Sequence, residues 1–417
     1  MDRTAGQGGR SRPRRRPGRS GDRRLGRVRP QRRLLCQQPD PRRSQRPDRF
    51  PDEFDTLERL GRENLDGIEA TITRHGIDAE FERTGELDIA VEDWQVAELT
   101  EFAQLLAEHG TEPVLLDREQ TQALVHSPTY LASRYDADGV ALVHPAKLAW
   151  GLRQACLDLG VRIYEHTEVT KITSDGAGLA LSCPFGSIRG RRVALATNAF
   201  TNLLRRLGNY IVPVYDYVLV TEPLSPEQQD AVGWEGRQGL ADLGNQFHYY
   251  RLTADNRILW GGYDVIYHFG NRIRAEQDQR LATHAALAEQ FFTTFPQLEG
   301  LRFTHRWGGV IDTCSRFTTF WGRAYRDRLA YAVGYTGLGV GASRFGARVM
   351  LDLLDGADNE RTRLTMVRTK PIPFPPEPFR YGGIQLTRWS IDHADRNGGN
   401  RNLWLRSLDK MGLGFES

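Results

Sequence analysis

The strongest candidate for chemistry is a glycine-rich segment near the C-terminal end of the chain, residues 331–343, which reads YAVGYTGLGVGAS. Its glycines would let the backbone approach a ligand closely. An apolar run precedes them and an amphipathic run follows, a pattern that predicts a strand, a tight loop and a helix. A helix N-terminus carries partial positive charge, which suits an anion or an electron-rich ring edge. A plain tight turn is the alternative interpretation.

A second candidate lies on a predicted strand that contains His248, Tyr249, Tyr250 and Arg251. Successive side chains of a strand point to opposite faces, so Tyr249 and Arg251 share one face and His248 and Tyr250 the other. Arg251 could hold a substrate carboxylate through a bidentate contact. A surface ion pair or packing within the sheet would explain the same arginine.

Other side chains are weaker candidates. Trp260, Tyr263 and Trp307 could form an aromatic wall for an amine, or simply pack in a core. Asp312 follows a predicted strand end, where we expect it to cap a turn. Cys314 is expected to be a buried free thiol. The histidines and cysteines show no metal-ligand spacing, so no metal site is predicted, and the residues by themselves single out no catalytic side chain.

Composition limits the class of protein that can carry these residues. The chain has 417 residues, of which 39% are hydrophobic and 26% charged, as in globular proteins of two or three domains. No apolar run is long enough for a membrane helix, and the N-terminal residues do not resemble a signal peptide. The four cysteines lie far apart, which favours reduced thiols. We therefore expect a cytoplasmic protein without membrane partners.

The first 49 residues differ in composition from the rest. They hold 17 Arg and 4 Asp, a net charge of +13, whereas the remainder has 39 basic and 49 acidic side chains and a net charge of −10. Residues 1–49 are predicted to be disordered because they contain too few apolar residues to form a core. An arm that binds RNA or membrane phosphates is the alternative, although the acidic body suggests no nucleic-acid partner.

The pattern of elements from residue 50 onwards is that of an α/β protein. A helix is predicted from Pro145 to Gly160, followed by a strand over 161–172 and a hairpin. An apolar strand then ends at a polar turn, Thr197–Asn198. Residues 212–330 are rich in strands typical of an antiparallel sheet. The tail from Lys370 is predicted to be extended, with a short docking helix near its end.

The glycine-rich segment resembles the C-terminal flavin loop of FAD-dependent oxidoreductases of the D-amino-acid oxidase (DAO) family, in particular the γ-glutamylputrescine oxidase-like group. The order of three further pieces is similar to that family: residues 143–172, VALATNAFT at 193–201, and the strands at 251–264 and 306–313. The segment departs from the family pattern at Leu338, where a histidine is common. The family's N-terminal G-x-G-x-x-G motif, which cradles a pyrophosphate, does not occur in the chain.

The resemblance implies non-covalently bound FAD and a set of contact residues. The implied cofactor-binding residues are Val169, Thr197, Asn198, Gly334, Tyr335, Thr336, Gly337, Leu338, Gly339 and Val340, and the candidate substrate-binding residues are Tyr249, Arg251 and Trp307. The implied fold combines a Rossmann-like FAD-binding domain, incomplete at its N-terminus, with a substrate domain built on a mixed or antiparallel sheet. We assign residues 50–85, 140–205 and 325–362 to the first domain, 86–139 and 206–324 to the second, and 363–417 to a C-terminal tail.

A shift of the reading frame would explain why the motif is missing. When residues 25–34 are back-translated with degenerate codons and read one nucleotide later, they permit WGASGRNGGF, which is similar to the segment that follows the first βαβ unit in this family. We hypothesise that residues 1–48 are an out-of-frame translation of a lost flavin-binding segment.

The implied activity is oxidation of the C–N bond of an amine or amino acid, with hydride transfer to flavin N5, hydrolysis of the imine and reoxidation by dioxygen to give hydrogen peroxide. Two alternatives stay open. The chain could be a remnant that no longer holds flavin, or an Arg-tailed binding protein. The sequence does not identify the amine or the oligomeric state.

Overall fold

The computed structural model describes the backbone of residues 34–36, and residues 50–110, 112–262, 264–411 and 413 in full. The expectations for residues 1–33 and 37–49 lie outside the described residues. The helices are α1 Phe54–Arg74, α2 Asp93–Glu108, α3 Arg118–Leu124, α4 Pro145–Asp158, α5 Pro226–Val232, α6 Leu281–Thr294, α7 Gly339–Asp355, α8 Glu360–Arg363, α9 Thr365–Arg368, α10 Phe379–Arg396 and α11 Leu403–Lys410. Short 3₁₀ helices lie at Pro51–Glu53, Asn202–Asn209, Ala275–Asp278 and Pro296–Leu298.

Within the described ranges, the strands form four separate sheets. They are β1 Leu34–Cys36, β2 Glu86–Ala90, β3 Val114–Leu116, β4 Ala132–Asp136, β5 Val140–Leu142, β6 Lys171–Asp175, β7 Gly178–Cys183, β8 Gly186–Gly190, β9 Val193–Leu195, β10 Val212–Thr221, β11 Gly239–Asp242, β12 His248–Leu252, β13 Ile258–Gly262, β14 Ile266–Tyr267, β15 Phe303–Thr313, β16 Phe320–Ala324 and β17 Leu329–Val333. Strands β1 and β5 pair antiparallel, and β6, β7 and β8 form a three-stranded meander.

The largest sheet carries the main core. Its order is β14-β10-β13-β12-β11-β2-β4-β3, with β15 also paired to β10. Strands β11 and β2 are parallel and the other neighbours are antiparallel, which confirms the predicted mixed sheet. On one face of this sheet, the Trp260 ring packs against Phe291 of α6 and against Phe295, which follows that helix. The other face of β10 borders the candidate site.

A smaller sheet positions the glycine-rich segment. Its order is β16-β17-β9, and β17 runs parallel to β9. Helix α7 covers it through Val349 and Met350, together with α1, which contributes Leu57 and Leu60. Parallel strands have their carboxyl ends at the same edge of a sheet, so the turns that follow β9 and β17 are neighbours. Within the described ranges, β9 pairs with β17 alone.

The predicted strand over 161–172 is wrong for most of its length. Only β6 forms, and the residues between α4 and β6 have no regular secondary structure. Val161 and Tyr164 are exposed there, at 50% and 60%. An alternating sequence becomes a strand only when a neighbouring edge supplies its hydrogen bonds, and the described part of the chain pairs no strand with this segment.

The C-terminal tail contains more helix than the sequence predicts. The expected short helix forms as α11, but the eighteen-residue α10 is absent from the prediction. Gly382, Gly383 and several residues of modest helix propensity obscure the helical pattern. Tertiary packing stabilises α10 instead, because Ile391 and Ala394 are buried against Leu405 of α11. We refer to residues 370–411 as the C-terminal cap.

Candidate functional site

The glycine-rich loop connects β17 to α7, as the sequence predicts. Gly334 follows the strand with φ +82°, a conformation that favours glycine. The buried carboxylate of Asp312, at the end of β15, accepts a hydrogen bond of 2.7 Å from the Gly334 amide, and its carbonyl accepts one of 3.2 Å from the Thr336 amide. Asp312 therefore caps this loop, as expected, and fixes it to the end of the large sheet.

The predicted cofactor residues of this loop do not all face the same way. Thr336, Gly337 and Leu338 line a large cavity, and Gly337 has φ +93°. The ring of Tyr335 turns away and packs beneath α7, where burial raises the pKa of its hydroxyl. Gly339 and Val340 form the first turn of α7, and the N-cap Leu338 provides no side-chain cap for that turn.

The turn after β9 lies beside this loop. The hydroxyl Oγ1 of Thr197 is buried and has no hydrogen-bond partner among the described residues. Asn198 adopts a left-handed conformation, with φ +51°, and its side-chain oxygen accepts a hydrogen bond of 2.7 Å from Ala199 N. Val169 precedes β6 and packs against the hydrophobic cluster that contains Leu195 of β9. A buried hydroxyl without a partner is costly, so Thr197 stays a candidate for a ligand contact.

Cys314 lies beneath the same loop and is fully buried. Its Sγ is 3.2 Å from the Thr318 carbonyl oxygen, and burial raises the pKa of the thiol. A Cβ atom on Gly334 would come within 3.0 Å of this sulfur, so the thiol fills the space under the loop. A buried thiol with a raised pKa is a poor nucleophile, consistent with a packing role.

The cavity has a volume of about 810 Å³ and lies between the large sheet, the glycine-rich loop and the C-terminal cap. Val212, Val214 and Asp216 of β10 form its floor, and Ile311 of β15 lies beside them. Leu413, just beyond the cap, lies on the opposite wall, and the cap contributes further apolar side chains to that wall: Ile372, Pro373, Phe374, Ile384, Leu386, Ile391, Trp404, Leu408 and Met411. This composition is that of a small-molecule site, with few polar groups among many apolar ones.

The predicted substrate residue Tyr249 lines this cavity. Its hydroxyl donates a hydrogen bond of 2.5 Å to Oδ2 of Asp216, on a strand two positions away in the sheet. The ring crosses the intervening β13 at Gly261, where a Cβ atom would lie 2.7 Å from the ring. The sequence prediction missed Asp216. Its signal is a single charge in the middle of VPVYDYVLVT, a strand otherwise rich in apolar residues.

The other predicted substrate residues are not among the described residues that line the cavity. Arg251 is buried within the large sheet, and Trp307 packs with Val218 and Leu259 beside Tyr249. Trp260 lies in the core on the opposite face, where its ring stacks on His248 at 4.6 Å. Tyr263 lies outside the described residues. The aromatic wall and the bidentate arginine stay predictions.

His248 forms a buried charged cluster behind the cavity. Its Nδ1 is 2.6 Å from Asp242 Oδ2, and its Nε2 is 2.9 Å from the side-chain oxygen of Gln290. Burial acts to lower the pKa of His248, but the Asp242 carboxylate and the hydrogen bonds to Asp242 and Gln290 outweigh it and raise the pKa above its usual value. The pair holds β11 and β12 together next to Tyr249.

Charged groups attach the C-terminal cap to the large sheet. Asp395 of α10 accepts hydrogen bonds from the Asn245 amide at 3.0 Å, from Asn245 Nδ2 at 2.6 Å and from the Gln246 amide at 3.1 Å. Burial nevertheless raises the pKa of this carboxyl above its ordinary value. Arg388 of α10 also contacts Asp264 at 2.5 Å. These contacts make the cap a fixed wall of the cavity.

The geometry fits the ring end of a flavin. The Thr336–Leu338 backbone, the uncapped first turn of α7 and the buried Thr197 hydroxyl lie at the shared edge of β9 and β17, where dinucleotides bind in α/β folds. The sequence holds no G-x-G-x-x-G run for the pyrophosphate end. Among the described residues, no cluster of His, Cys, Asp and Glu is placed to hold a metal ion. No helix in the same ranges has the length and apolar character needed to cross a bilayer.

Comparison with known proteins agrees with this geometry. The family model DAO, FAD dependent oxidoreductase, matches residues 14–353, so the match begins within the Arg-rich segment rather than at residue 50. The chain is 32% identical over 315 residues to gamma-glutamylputrescine oxidoreductase of Escherichia coli, covering 74% of this chain and 70% of that protein. It is 27% identical over 317 residues to the probable oxidoreductase OrdL of Haemophilus influenzae, covering 74% and 69%.

Solved structures share the fold. Glycine oxidase from Geobacillus kaustophilus superposes with a TM-score of 0.62 at 20% identity, covering 75% of this chain and 81% of that one. L-proline dehydrogenase from P. horikoshii gives a TM-score of 0.61 at 18% identity, covering 74% and 81%. With the family match across most of the chain, the glycine-rich loop and the cavity beside it, this protein belongs to the DAO family of FAD-dependent oxidoreductases.

Proposed function

We propose that this protein oxidises the C–N bond of an amine or amino acid at the cavity between the glycine-rich loop and the large sheet. The observation that carries the proposal is that one cavity brings together Thr336–Leu338, on the flavin side, with Tyr249 and Asp216, on the substrate side. The relative with 32% identity is a gamma-glutamylputrescine oxidoreductase, which supports an amine as the substrate that is oxidised.

When bound, FAD would accept a hydride from the carbon that bears the nitrogen, and we propose dioxygen as the final electron acceptor. We propose that Thr336, Gly337, Leu338 and the first turn of α7 hold the flavin ring without a covalent bond. Thr197 and Asn198 would contact the dinucleotide at the end of β9, and Val169 would lie near the adenine. The protein's own part in the reaction is to orient the amine and to exclude water.

Excluding water is the role of the C-terminal cap. Its apolar side chains close the cavity opposite β10, and its polar contacts to Asn245 and Asp264 hold it there. A dry cavity protects an imine from hydrolysis before it leaves and strengthens electrostatic contacts to the substrate. Tyr249 and Asp216 are the polar pair that this enclosed space presents to the amine.

The proposal is tested by the visible spectrum of the purified chain after incubation with excess FAD and desalting. We expect flavin absorption bands that bleach when a suitable amine is added without oxygen, and hydrogen peroxide when oxygen is admitted. Bleaching without peroxide on exposure to oxygen would refute dioxygen as the acceptor. A chain that retains no flavin, or whose flavin no amine or amino acid reduces, would refute the proposed oxidation for this chain.

A further inference from the structure

We infer that Asp216 is the ammonium-binding group of the cavity, and that the substrates are cationic amines on an apolar chain with no carboxylate beside the nitrogen. This inference rests on the proposed amine oxidation and narrows its substrate class. It follows from the position of Asp216, from the hydrogen bonds that hold it, from the arginines of the cavity and from the character of the walls.

The position of Asp216 places a negative charge on an apolar floor. The side chains of Val212, Val214 and Asp216 lie on the cavity side of β10, while Tyr217 contributes to the core beneath the sheet. A carboxylate in such surroundings interacts strongly with a cation, because few water molecules compete for it. An ammonium group entering the cavity would therefore find a charged partner on this floor.

Two neutral donors fix the orientation of the Asp216 carboxylate. Oδ2 accepts the hydroxyl proton of Tyr249 at 2.5 Å, and Oδ1 accepts the amide of Tyr217 at 2.9 Å. Tyr249 reaches Asp216 only because Gly261 leaves room for its ring over β13. Residues on three strands thus hold one carboxylate in a fixed orientation, which distinguishes it from a carboxylate in a surface ion pair.

The cationic side chains of the cavity are already engaged with the protein. Arg388 contacts Asp264, which is also held by Arg280. Arg380 is buried and donates hydrogen bonds to the Pro375 carbonyl and to Asn271. These two are the arginines among the described residues that line the cavity. A substrate carboxylate next to the amine would therefore lie beside the like charge of Asp216, while Arg380 and Arg388 are bound to other groups of the protein. Such a carboxylate would be repelled.

The walls indicate what the amine is attached to. The described lining of the C-terminal cap is dominated by aliphatic and aromatic side chains such as Ile384, Trp404 and Leu408. Burying an apolar chain there is favourable by about 0.8 kcal/mol for each methylene. Alkylamines and arylalkylamines match both features of the site, the carboxylate on the floor and the apolar wall above it.

Calorimetric titration with three matched ligands tests this inference on the full chain, with and without added FAD. The ligands are hexylamine, its neutral analogue 1-hexanol, and 2-aminoheptanoic acid, which carries the same alkylamine with an adjacent carboxylate. We expect hexylamine to bind at least about tenfold more tightly than 2-aminoheptanoic acid, because the carboxylate of the amino acid would lie beside the like charge of Asp216. Asp216→Asn should weaken hexylamine by about tenfold or more and change 1-hexanol by less than about twofold.

Variants with a smaller perturbation keep the test decisive if Asp216→Asn does not fold. Gly261→Ala leaves the carboxylate intact but displaces the Tyr249 ring, and Tyr249→Phe removes the hydroxyl. Each should weaken hexylamine by about threefold, the effect of a modest hydrogen bond. Asp230→Asn, at an exposed position of α5, is the matched control for loss of one charge and should bind hexylamine like the unmodified chain.

The outcomes separate this inference from the proposed oxidation. Equal affinity of the Asp216→Asn and unmodified chains for hexylamine, or tighter binding of 2-aminoheptanoic acid than of hexylamine, would overturn the inference. Flavin reduction by amino acids but not by alkylamines would overturn it while leaving the proposed function standing. Asp216-dependent hexylamine binding in a chain whose flavin no amine reduces would support the inference and refute the oxidation.

Discussion

The attachment of the C-terminal cap through Asp395 leads to a quantitative prediction. Replacing Asp395 by alanine removes the acceptor for the Asn245 amide, the Asn245 side-chain amide and the Gln246 amide. A donor left without a partner in a buried site costs about 1–3 kcal/mol. Partial access to water relieves some of this cost, so we expect the cap to open more easily by about 2–4 kcal/mol in total.

Hydrogen exchange of the amides in α10 and α11 measures this opening directly, because protection reports the free energy of local unfolding. A change of about 2–4 kcal/mol corresponds to a loss of protection of roughly 30- to 1,000-fold. The large sheet should keep its protection, since the substitution leaves the hydrophobic core of Phe291 and Trp260 intact.

Asp392 provides the control on the same helix. Its carboxylate pairs with Arg396 at 3.0 Å across one turn of α10, with side chains 33% and 71% exposed. Such a pair contributes about 0.3–0.5 kcal/mol, so Asp392→Ala should leave cap protection almost unchanged. Both substitutions gain the same helix propensity, and their difference isolates the contacts of Asp395. Equal protection in the two variants would refute the anchoring role.

Three further predictions address the loop, the cofactor and pH. Gly334→Ala should destabilise the protein by about 1–3 kcal/mol through its positive φ and the contact with the sulfur beneath it, whereas Gly356→Ala, also at positive φ but with open space around it, should cost only about 1 kcal/mol in urea unfolding. Thr197→Val should weaken FAD binding in a fluorescence titration without lowering the melting temperature, and Thr318→Val, at a second buried hydroxyl without a partner among the described residues, should leave FAD affinity unchanged. Because the pKa of His248 is raised by folding, the protonated side chain stabilises the folded state. This contribution is fully present below the unfolded pKa of about 6.5 and is lost as pH rises through the folded pKa, so the difference in free energy of unfolding between the unmodified chain and His248→Gln should shrink as pH increases. A difference that stays constant from about pH 5 to about pH 9 would contradict this prediction.

The site could be located only in part from the sequence. The loop at 334–338 and the polar turn at Thr197 could be predicted because glycine content and strand ends are local features of the chain. Alternation along β12 predicts that Arg251 shares a strand face with Tyr249, yet Arg251 does not line the cavity. Alternation assigns a face of the sheet, but the elements above that face decide which positions remain open.

The sequence by itself determined the family, the mixed sheet with a Rossmann-like unit, and the strand, loop and helix that present the glycine-rich segment. The loop and its flanking elements depend on local residue types and spacings, and the family depends on the order of such local pieces along the chain. Tertiary structure decided the rest: α10 folds because its buried face meets α11, and the Asp216–Tyr249 contact forms across β13 between residues distant in sequence. Such contacts depend on strand order and on packing between elements, which no local pattern specifies.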